Sequence, residues 1–367
     1  MNELSELISG IKNGGKIVLE QGREYHVYKE DGVPFARSGK GEASSAAAVC
    51  LFGKKNVVID GSGSAIKIHG NLTAFALIGC QNVQLKNVTA DYVDDEGEQK
   101  SEKDGETKET VAAAACVVDC KNVQLSSVRL RYFKGCGFFV AQSEKVRLCK
   151  SECVVKDGAS TDGSGYFRFD DCKKEVVLDE CVLRGGGASG DFVGVRGNDK
   201  CNLVVKNSYA FDNAGRGVYY AAAGKAFVRE NTFSKTGGAA LCARDCKESG
   251  APYVKKIVFA NNVAIGCGNA YEEKYAVAYF PTDSVGCENC PSLKDGKSAC
   301  EGKKTVGKLL LKENHFFNPE DEEHRIYLAG VKKAVFKNNS FDRPYKIDRA
   351  NVRKLTEKDD VAAEKCQ

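Results

Sequence analysis

Hydrophobic and polar residues alternate in short runs that recur along most of the chain. Each run begins with Asn, Lys or Glu and continues with three mostly apolar residues, and a second short apolar run precedes it. This alternation has a period of two and small residues at the turns, which predicts β-strands with one buried face. The ten runs are Asn56–Ile59, Asn82–Leu85, Asn122–Leu125, Lys145–Leu148, Glu175–Leu178, Asn202–Val205, Lys225–Val228, Lys256–Phe259, Lys308–Leu311 and Lys333–Phe336.

The spacing of these runs predicts how the strands assemble. They recur about every 23 to 31 residues, with two longer intervals, and such a period is typical of solenoid proteins. A unit of two or three short strands cannot bury its own apolar face, whereas stacked units share a continuous core. Helical solenoids have similar periods, but β-branched and aromatic residues dominate these runs. The sequence therefore predicts an all-β fold, a single right-handed parallel β-helix of about ten coils.

Both ends of such a solenoid need a cover, because exposed strand edges favour aggregation. Four apolar residues near the N-terminus are spaced like one face of a helix, which predicts an N-terminal capping helix. They are Leu4, Leu7, Ile8 and Ile11. Past Asp348 the chain becomes polar and rich in Lys and Glu. We therefore expect a β-helix domain over residues 1–348 and a polar cap or tail over 349–367, with a covering helix or a loose tail from Val352.

Asparagine recurs at the turn that follows the recurring strand. Asn tolerates the left-handed backbone conformation that a tight turn requires, and stacked copies would form a ladder of side chains. The residues concerned are Asn87, Asn207, Asn231, Asn262 and Asn339.

Charge and cysteine content restrict the classes of partner. The chain has 54 basic and 50 acidic residues, interspersed, so a concentrated basic stripe for nucleic acid is not expected. No apolar run approaches the roughly 20 residues of a membrane span. Residues Met1–Gly15 lack the pattern of a secretory signal. The 17 cysteines are odd in number and many lie in strand-like runs, which favours free thiols and a cytoplasmic location.

A first insertion, Asp91–Thr110, is hydrophilic and aperiodic, and we expect a solvated loop there. Asp94, Asp95 and Glu98 cluster within it. Their spacing is not that of an EF-hand, so we do not predict a calcium site.

A second insertion, Gly266–Gly307, contains Cys287, Cys290 and Cys300. Three cysteines could begin a zinc site, but no fourth ligand follows at a usual interval. We therefore predict no metal, and no cofactor is required.

Candidate functional side chains lie on outward positions of the middle coils. Arg168 and Asp170 alternate with phenylalanines, and Tyr219 alternates with apolar neighbours, so we expect these three side chains to point outwards. Asp191 and Arg196 flank inward valines and are expected on or beside the same face. With the next coil included, the candidates are Arg168, Asp170, Asp191, Arg196, Arg216, Tyr219, Arg244, Asp245 and Glu248.

This set of residues suits carbohydrate chemistry. Neighbouring rungs are about 4.8 Å apart. Carboxylates one or two rungs apart therefore approach the separations used by glycosidases, about 5 to 9.5 Å. Arginines and an aromatic ring suit sugar hydroxyls and a sugar ring face. The alternative is a structural ladder of salt bridges, each worth about 0–1 kcal/mol, with Asp170 and Arg196 as one such pair.

Several stretches of the chain resemble glycoside hydrolase family 110, which comprises inverting α-1,3-galactosidases built on a parallel β-helix. The likeness extends from about Tyr25 to Phe341. The stretches are Asn56–Gly70, Gly215–Val218, Gly224–Phe233, Thr236–Ala240, Glu248–Gly250 and Tyr279–Pro281.

The resemblance implies a glycoside hydrolase that acts on terminal α-linked galactose by inversion, with paired carboxylates and a glycan as its ligand. It implies Asp191 as the general base, Asp162 or Asp170 as its assistant, and Glu248 as the best candidate for the acid. The substrate-binding residues would be Arg168, Arg196, Arg216, Tyr219, Arg244 and Asp245. The related family is often exported, whereas the cysteines favour the cytoplasm.

Two departures from the family pattern support other hypotheses. Gly190 stands where one Asp of an Asp-Asp pair is expected, and Arg196 stands where a His is expected. The missing carboxylate favours a catalytically degenerate glycan-binding or structural β-helix. A third hypothesis is a uronate lyase with Arg196 as its basic residue, but such an enzyme would also need a calcium cluster.

Overall fold

Nearly all the strands of the chain stack in parallel into one continuous arrangement. The computed structural model describes residues 3–35, 45–93, 113–133, 135–156, 165–187, 190–243, 254–268, 275, 277–280, 306–318, 323–350 and 352–362. Within these ranges the chain has one α-helix, α1 (Glu3–Ser9), and a 3-10 helix at Lys29–Asp31.

Thirty-two strands, β1 to β32, lie within the same ranges. The first sixteen are β1 (Lys16–Val18), β2 (Glu24–Val27), β3 (Val33–Phe35), β4 (Ser45–Phe52), β5 (Lys55–His69), β6 (Thr73–Ile78), β7 (Gln81–Val93), β8 (Ala113–Val118), β9 (Lys121–Phe133), β10 (Cys136–Ala141), β11 (Glu144–Cys149), β12 (Glu152–Val155), β13 (Phe167–Asp170), β14 (Lys173–Asp179), β15 (Val182–Arg184) and β16 (Val193–Lys206). The others are β17 (Tyr209–Asn213), β18 (Val218–Ala223), β19 (Lys225–Arg229), β20 (Thr232–Thr236), β21 (Leu241–Cys242), β22 (Lys256–Ala260), β23 (Val263–Ile265), β24 (Ala278–Phe280), β25 (Val306–Lys312), β26 (His315–Phe317), β27 (His324–Ala329), β28 (Val331–Lys337), β29 (Ser340–Phe341), β30 (Tyr345–Ala350), β31 (Lys354–Lys358) and β32 (Val361–Ala362).

Each coil contributes to three faces, on which strands pair in parallel with the equivalent strands of the next coil. The exception is β3, which pairs antiparallel with β4 at the N-terminal end of face 3. Face 1 contains β1, β11, β14, β19, β22, β25, β28 and β31, together with the first parts of β5, β7 and β9 and the end of β16. Face 2 contains β2, β12, β15, β17, β20, β23, β26, β29 and β32, together with the second parts of β5, β7 and β9. Face 3 contains β4, β6, β8, β10, β13, the start of β16, β18, β21, β24, β27 and β30. The fold is a right-handed parallel β-helix, as the sequence predicted.

The ten recurring runs lie in register on face 1. Val57 pairs with Val83, and Val83 pairs with Val123. The same register continues through the later coils, and β1 and β31 add a strand at either end. The paired residues after Val123 are Val146, Val176, Leu203, Ala226, Ile257, Leu309 and Ala334.

The inward side chains form one long core, in which aromatic rings follow each other from coil to coil. Phe167 stacks on Phe138 at 5.2 Å between ring centroids and meets Phe192 edge-on at 5.5 Å. Phe167 and Val195 are both fully buried, so the alternation assigned their direction correctly. Tyr220 also points inwards. Its hydroxyl donates to the Cys201 carbonyl at 2.5 Å, and burial raises the pKa of this phenol.

A buried ladder of polar side chains lines the turn between faces 1 and 2. The backbone N–H of Asn262 donates to Oδ1 of Asn314 at 3.0 Å, and its side-chain amide donates to the Val228 carbonyl at 3.0 Å. The ladder ends at Asp360, whose Oδ1 accepts two hydrogen bonds from Asn339. From Asn231 to its end, the ladder consists of Asn231, Asn262, Asn314, Asn339 and Asp360. Each amide thus satisfies backbone groups that burial would otherwise leave without partners.

Only some of the asparagines that the sequence indicated adopt the left-handed backbone conformation at the turn. Asn87 and Asn207 have φ of 56° and 52° and adopt this conformation. In later coils the preceding residue adopts it instead, namely Glu230, Asn261 and Asn338. The ladder position is therefore one residue further along, where the side chain points inwards.

The helix α1 covers the N-terminal end of the core. Leu4, Ile8 and Ile11 are buried, and the Ser5 hydroxyl donates to the Ala48 carbonyl at 2.6 Å. Leu7 was expected on the same face, but it is 46% exposed. Three of the four predicted residues therefore form the cap.

At the other end, strands replace the covering helix or loose tail that we expected from Val352. β31 pairs with β28 and β32 pairs with β29, because Leu355 and Ala362 continue the inward columns of faces 1 and 2. The division of the chain at residue 348 stays a prediction.

Most of the two insertions lies outside the described residues, including Asp94, Asp95, Glu98, Cys287, Cys290 and Cys300. Asp91–Val93, expected as part of a solvated loop, instead end β7, and Ala278–Phe280 within the second insertion form β24. Over the part of the chain that the structure describes, no three His, Cys, Asp or Glu side chains are grouped to hold a metal ion. Among the helices described there, none is long and apolar enough to cross a membrane. Twelve cysteines of the same part are free thiols, ten of them buried.

Candidate functional site

Three consecutive coils present charged side chains on the outward side of face 3. Arg168 lies beside Gly194, and Gly194 lies beside Tyr219 in the parallel register. Two positions along, Asp170 lies beside Arg196. Asp191 and Arg216 lie just before β16 and β18 on the same coils. We call this surface the arginine face; it comprises Arg168, Asp170, Asp191, Arg196, Arg216 and Tyr219.

Asp191 and Arg216 form a bidentate ion pair. Nε of Arg216 donates to Oδ1 of Asp191 at 2.7 Å, and a terminal guanidinium nitrogen donates to Oδ2 at 2.8 Å. The backbone N–H of Arg216 adds a third hydrogen bond to Oδ1 at 2.9 Å. Asp191 is only 2% exposed, so burial and three donors fix its carboxylate in place. Paired, hydrogen-bonded geometry of this kind is what a buried charge requires.

The Gly-Arg-Gly motif makes this ion pair possible. A Cβ at Gly215 would lie 2.3 Å from the carbonyl oxygen of Gly190, and a Cβ at Gly217 would lie 2.4 Å from that of Ala240. Only glycine allows these close approaches between neighbouring coils. The backbone of Arg216 can therefore reach the Asp191 carboxylate directly.

Tyr219 is buried beneath two guanidinium groups. Arg216 lies 4.2 Å and Arg196 lies 5.5 Å from the centroid of its ring. The residue is only 3% exposed. We expected this ring to offer its face to a sugar, and that expectation is wrong, because the ring supports the arginines by cation–π contact instead.

Arg168 and Asp170 form a second ion pair on β13. Nε of Arg168 donates to Oδ2 of Asp170 at 2.8 Å, and a terminal guanidinium nitrogen lies 2.7 Å from the same oxygen. The Arg168 guanidinium lies 5.3 Å from the Phe139 ring centroid. Oδ1 of Asp170 is buried and accepts no hydrogen bond from the residues that the structure describes. The sequence suggested Arg196 as the ion-pair partner of Asp170, but the observed partner is Arg168.

Arg196 differs from the other two arginines of the face. It is half-buried, and no carboxylate of the described residues forms an ion pair with it. Among the described residues, the Tyr219 ring lies beside its guanidinium group, and no side chain there accepts a hydrogen bond from it.

The structure places six of the predicted site residues on one face, but the contacts of two of them, Asp191 and Tyr219, differ from the contacts that we expected. Asp191 was expected as an accessible general base, whereas its oxygens are engaged by Arg216. The remaining predicted residues, Asp162, Arg244, Asp245 and Glu248, lie outside the described residues. All catalytic and binding roles on this face stay predictions.

Two neighbours of the site were missed in the sequence. Phe139 lies under Arg168, and the Cys242 thiol lies 3.9 Å from a terminal nitrogen of Arg216. Both occupy the outward column of face 3 that contains Arg168 and Tyr219. The spacing of the repeat could have placed both residues in this outward column. However, an apolar ring and a thiol gave no reason to assign these two residues to a polar site.

No protein-family model matches the chain, and no curated protein sequence matches it significantly. Solved structures do resemble it. The A-module of a mannuronan C-5 epimerase from Azotobacter vinelandii has a TM-score of 0.52 and 12% identity, over 96% of this chain and 91% of that chain. A tailspike protein of an E. coli bacteriophage, in complex with a pentasaccharide, has a TM-score of 0.57 and 11% identity, over 96% of this chain.

A family 28 exopolygalacturonase from Yersinia enterocolitica has a TM-score of 0.51 and 10% identity, over 98% of this chain and 75% of that chain. This chain spans 60% of the tailspike chain. These likenesses do not confirm the narrower resemblance to glycoside hydrolase family 110, which stays a prediction. They show that this chain has the fold of parallel β-helix proteins, among which these neighbours are carbohydrate-active.

Proposed function

We propose that this chain is a carbohydrate-active protein that binds an oligosaccharide across the arginine face. One observation carries the proposal: three arginines of consecutive coils share one outward face, and Arg196 has no carboxylate partner among the described residues. Guanidinium groups provide several N–H donors in a fixed plane, which suits the oxygen-rich surface of a sugar.

The structural neighbours support this proposal. They are an epimerase of mannuronan, a tailspike bound to a pentasaccharide and an exopolygalacturonase. Different chemistries on glycans thus occur on this one fold. Fold alone does not assign function, so the arginine face has to carry the proposal for this chain.

Binding without turnover fits the described residues better than hydrolysis does. An inverting glycosidase needs two carboxyl groups about 6.5–9.5 Å apart, with room for a water molecule beside one of them. Asp191 is buried and its oxygens accept three hydrogen bonds from Arg216. Such a carboxylate is buried and held in an ion pair, so it is poorly placed to activate a water molecule at the surface. This favours the glycan-binding hypothesis.

Hydrolysis of terminal α-linked galactose by inversion is the second candidate function. It is favoured by Asp170, whose side chain is 21% exposed on the arginine face, unlike that of Asp191. Asp170 would be one carboxylate, and Asp162 or Glu248 would be the other. Incubation with an α-1,3-linked galactoside should then release galactose, and Asp170→Asn should lower kcat by about 10²–10⁴-fold. No release by the wild type would eliminate this candidate.

Calorimetric titration with a panel of neutral and acidic oligosaccharides tests the binding proposal. The wild type should bind at least one member, and the double variant Arg168→Gln/Arg196→Gln should weaken that binding about tenfold or more. The matched control, Arg129→Gln/Arg229→Gln, removes the same charge from faces 2 and 1 and should bind as the wild type does. Failure of the whole panel, or equal losses in both double variants, would overturn the proposal.

A further inference from the structure

We infer that the oligosaccharide is anionic, with the carboxylate of a uronate residue bound by Arg196. This inference rests on the proposed function and names the ligand class of the same site. It follows from the charges of the arginine face, from their pairing and from the geometry of Arg196.

The charges of the arginine face do not cancel. Its described side chains carry three guanidinium groups and two carboxylates. Arg216 is paired with Asp191, and Arg168 is paired with Asp170. The remaining positive charge is that of Arg196, the one guanidinium among these without a described carboxylate partner.

Nearby groups hold Arg196 in place without neutralising it. The face of the Tyr219 ring lies 5.5 Å from its guanidinium carbon, which orients the planar group. Asp170 is its neighbour in the register, but Oδ2 of that carboxylate already accepts a hydrogen bond from Nε of Arg168 and forms the ion pair with that guanidinium group. An oriented guanidinium whose donors meet no acceptor among the described residues is pre-organised to bind a carboxylate through two parallel hydrogen bonds.

The surplus charge also indicates which class of sugar suits the arginine face. The carboxylate of a uronate residue can pair with Arg196 while its hydroxyl groups meet the partly exposed side chains of Arg168 and Asp170. A neutral sugar would leave the charge of Arg196 without a partner. One surplus positive charge matches one carboxylate better than it matches a doubly charged phosphate ester.

Two pairs of probes that differ only in charge test the inference. They are tetragalacturonate and tetramannuronate, each compared with the same chain after chemical reduction of its carboxyl groups to alcohols. The wild type should bind at least one acidic chain about tenfold to a hundredfold more tightly than its reduced form. This preference should shrink between 50 and 200 mM NaCl, because salt screens exposed charges.

Variants of Arg196 assign the effect to this residue. Arg196→Gln should abolish the preference for the acidic chain, and Arg196→Lys should keep part of it, because the charge remains but the planar donor pair is lost. Arg229→Gln, an exposed arginine on face 1, is the control and should keep the full preference. Unfolding midpoints of all three variants establish that each is folded.

The possible failures can be told apart. Equal or tighter binding of the reduced chains would overturn the inference and leave the proposed function standing. A preference that persists in Arg196→Gln would overturn the assignment of the carboxylate to Arg196. If none of the four probes binds and the wider panel also fails, the proposed function fails together with the inference.

Discussion

Asp191 is held by Arg216 through both carboxylate oxygens, at 2.7 and 2.8 Å, in a position that is almost entirely buried. This ion pair indicates a structural role for Asp191. A residue that resembled a general base in the sequence instead anchors an arginine against the solenoid. Arg216 in turn lies against the Tyr219 ring, so that Asp191 supports the arginine face from below.

The first prediction concerns this ion pair. Asp191→Asn should lower the free energy of unfolding by about 3 kcal/mol, because breaking a buried ion pair leaves the other charge without a partner. Urea unfolding followed by circular dichroism measures the change. Asp170→Asn is the matched control, and its cost should be about 1 kcal/mol or less, because that pair is more exposed. Equal stabilities of the wild type and Asp191→Asn would contradict this account of Asp191.

The sequence could predict the faces of the solenoid because a strand has a side-chain period of two. Buried Phe167 and Val195 required that Arg168, Asp170 and Arg196 point the other way, and they do. A shift by one residue would have moved every apolar side chain to solvent, which makes the register robust.

The same alternation could not predict which outward groups pair with each other. Two arginines lie close to Asp170 along the sequence pattern, and in the structure the side chain of Arg168, rather than that of Arg196, pairs with it. Nor could it predict burial on the outward side, where Tyr219 is covered although its column faces away from the core. Such choices depend on contacts between coils that a repeat pattern does not encode.

The second prediction concerns the aromatic core. Phe167→Ala should cost about 3–5 kcal/mol, because it removes a fully buried ring that contacts the neighbouring rings Phe138 and Phe192. Phe52→Ala is the matched control, since Phe52 is also on face 3 but is 50% exposed. Similar unfolding midpoints in urea for the two variants would show that the faces are assigned the wrong way round.

The third prediction concerns pH and the end of the polar ladder. Burial raises the pKa of the Asp360 carboxyl above its ordinary value of 3.8. The folded state therefore binds this proton more tightly than the unfolded state, and stability is lost as the pH rises from the ordinary value to the raised one. Oδ2 of Asp360 is also buried and accepts no hydrogen bond from the residues that the structure describes.

Asp360→Asn should accordingly stabilise the protein at pH 7, by about 1 kcal/mol, because it removes the buried charge and continues the asparagine ladder. The gain should shrink when the pH falls below the ordinary aspartate value. Urea unfolding at pH 7 and pH 3.5 measures both. Asp359→Asn changes the neighbouring exposed residue as a control and should have little effect. A gain that is equal at both pH values would argue against a raised pKa.

The fourth prediction concerns the thiols. The twelve described cysteines are free, and ten of them are buried. Burial also raises the pKa of the half-buried Cys50 thiol to about 12, so it should react slowly as well. Titration with a thiol reagent at pH 8 should find few reactive groups in the native protein and at least twelve after denaturation without reductant. Two or fewer thiols in the denatured protein would contradict this prediction.

The position of a bound oligosaccharide tests the central claim most directly. The measurement is a crystal structure of the protein with the oligosaccharide that binds most tightly in the calorimetric panel. We predict that the sugar lies on the outward side of face 3, with oxygen atoms within hydrogen-bond distance of Arg196 and of Arg168 or Arg216. A sugar bound only to face 1, to face 2 or to an end of the solenoid would contradict the account.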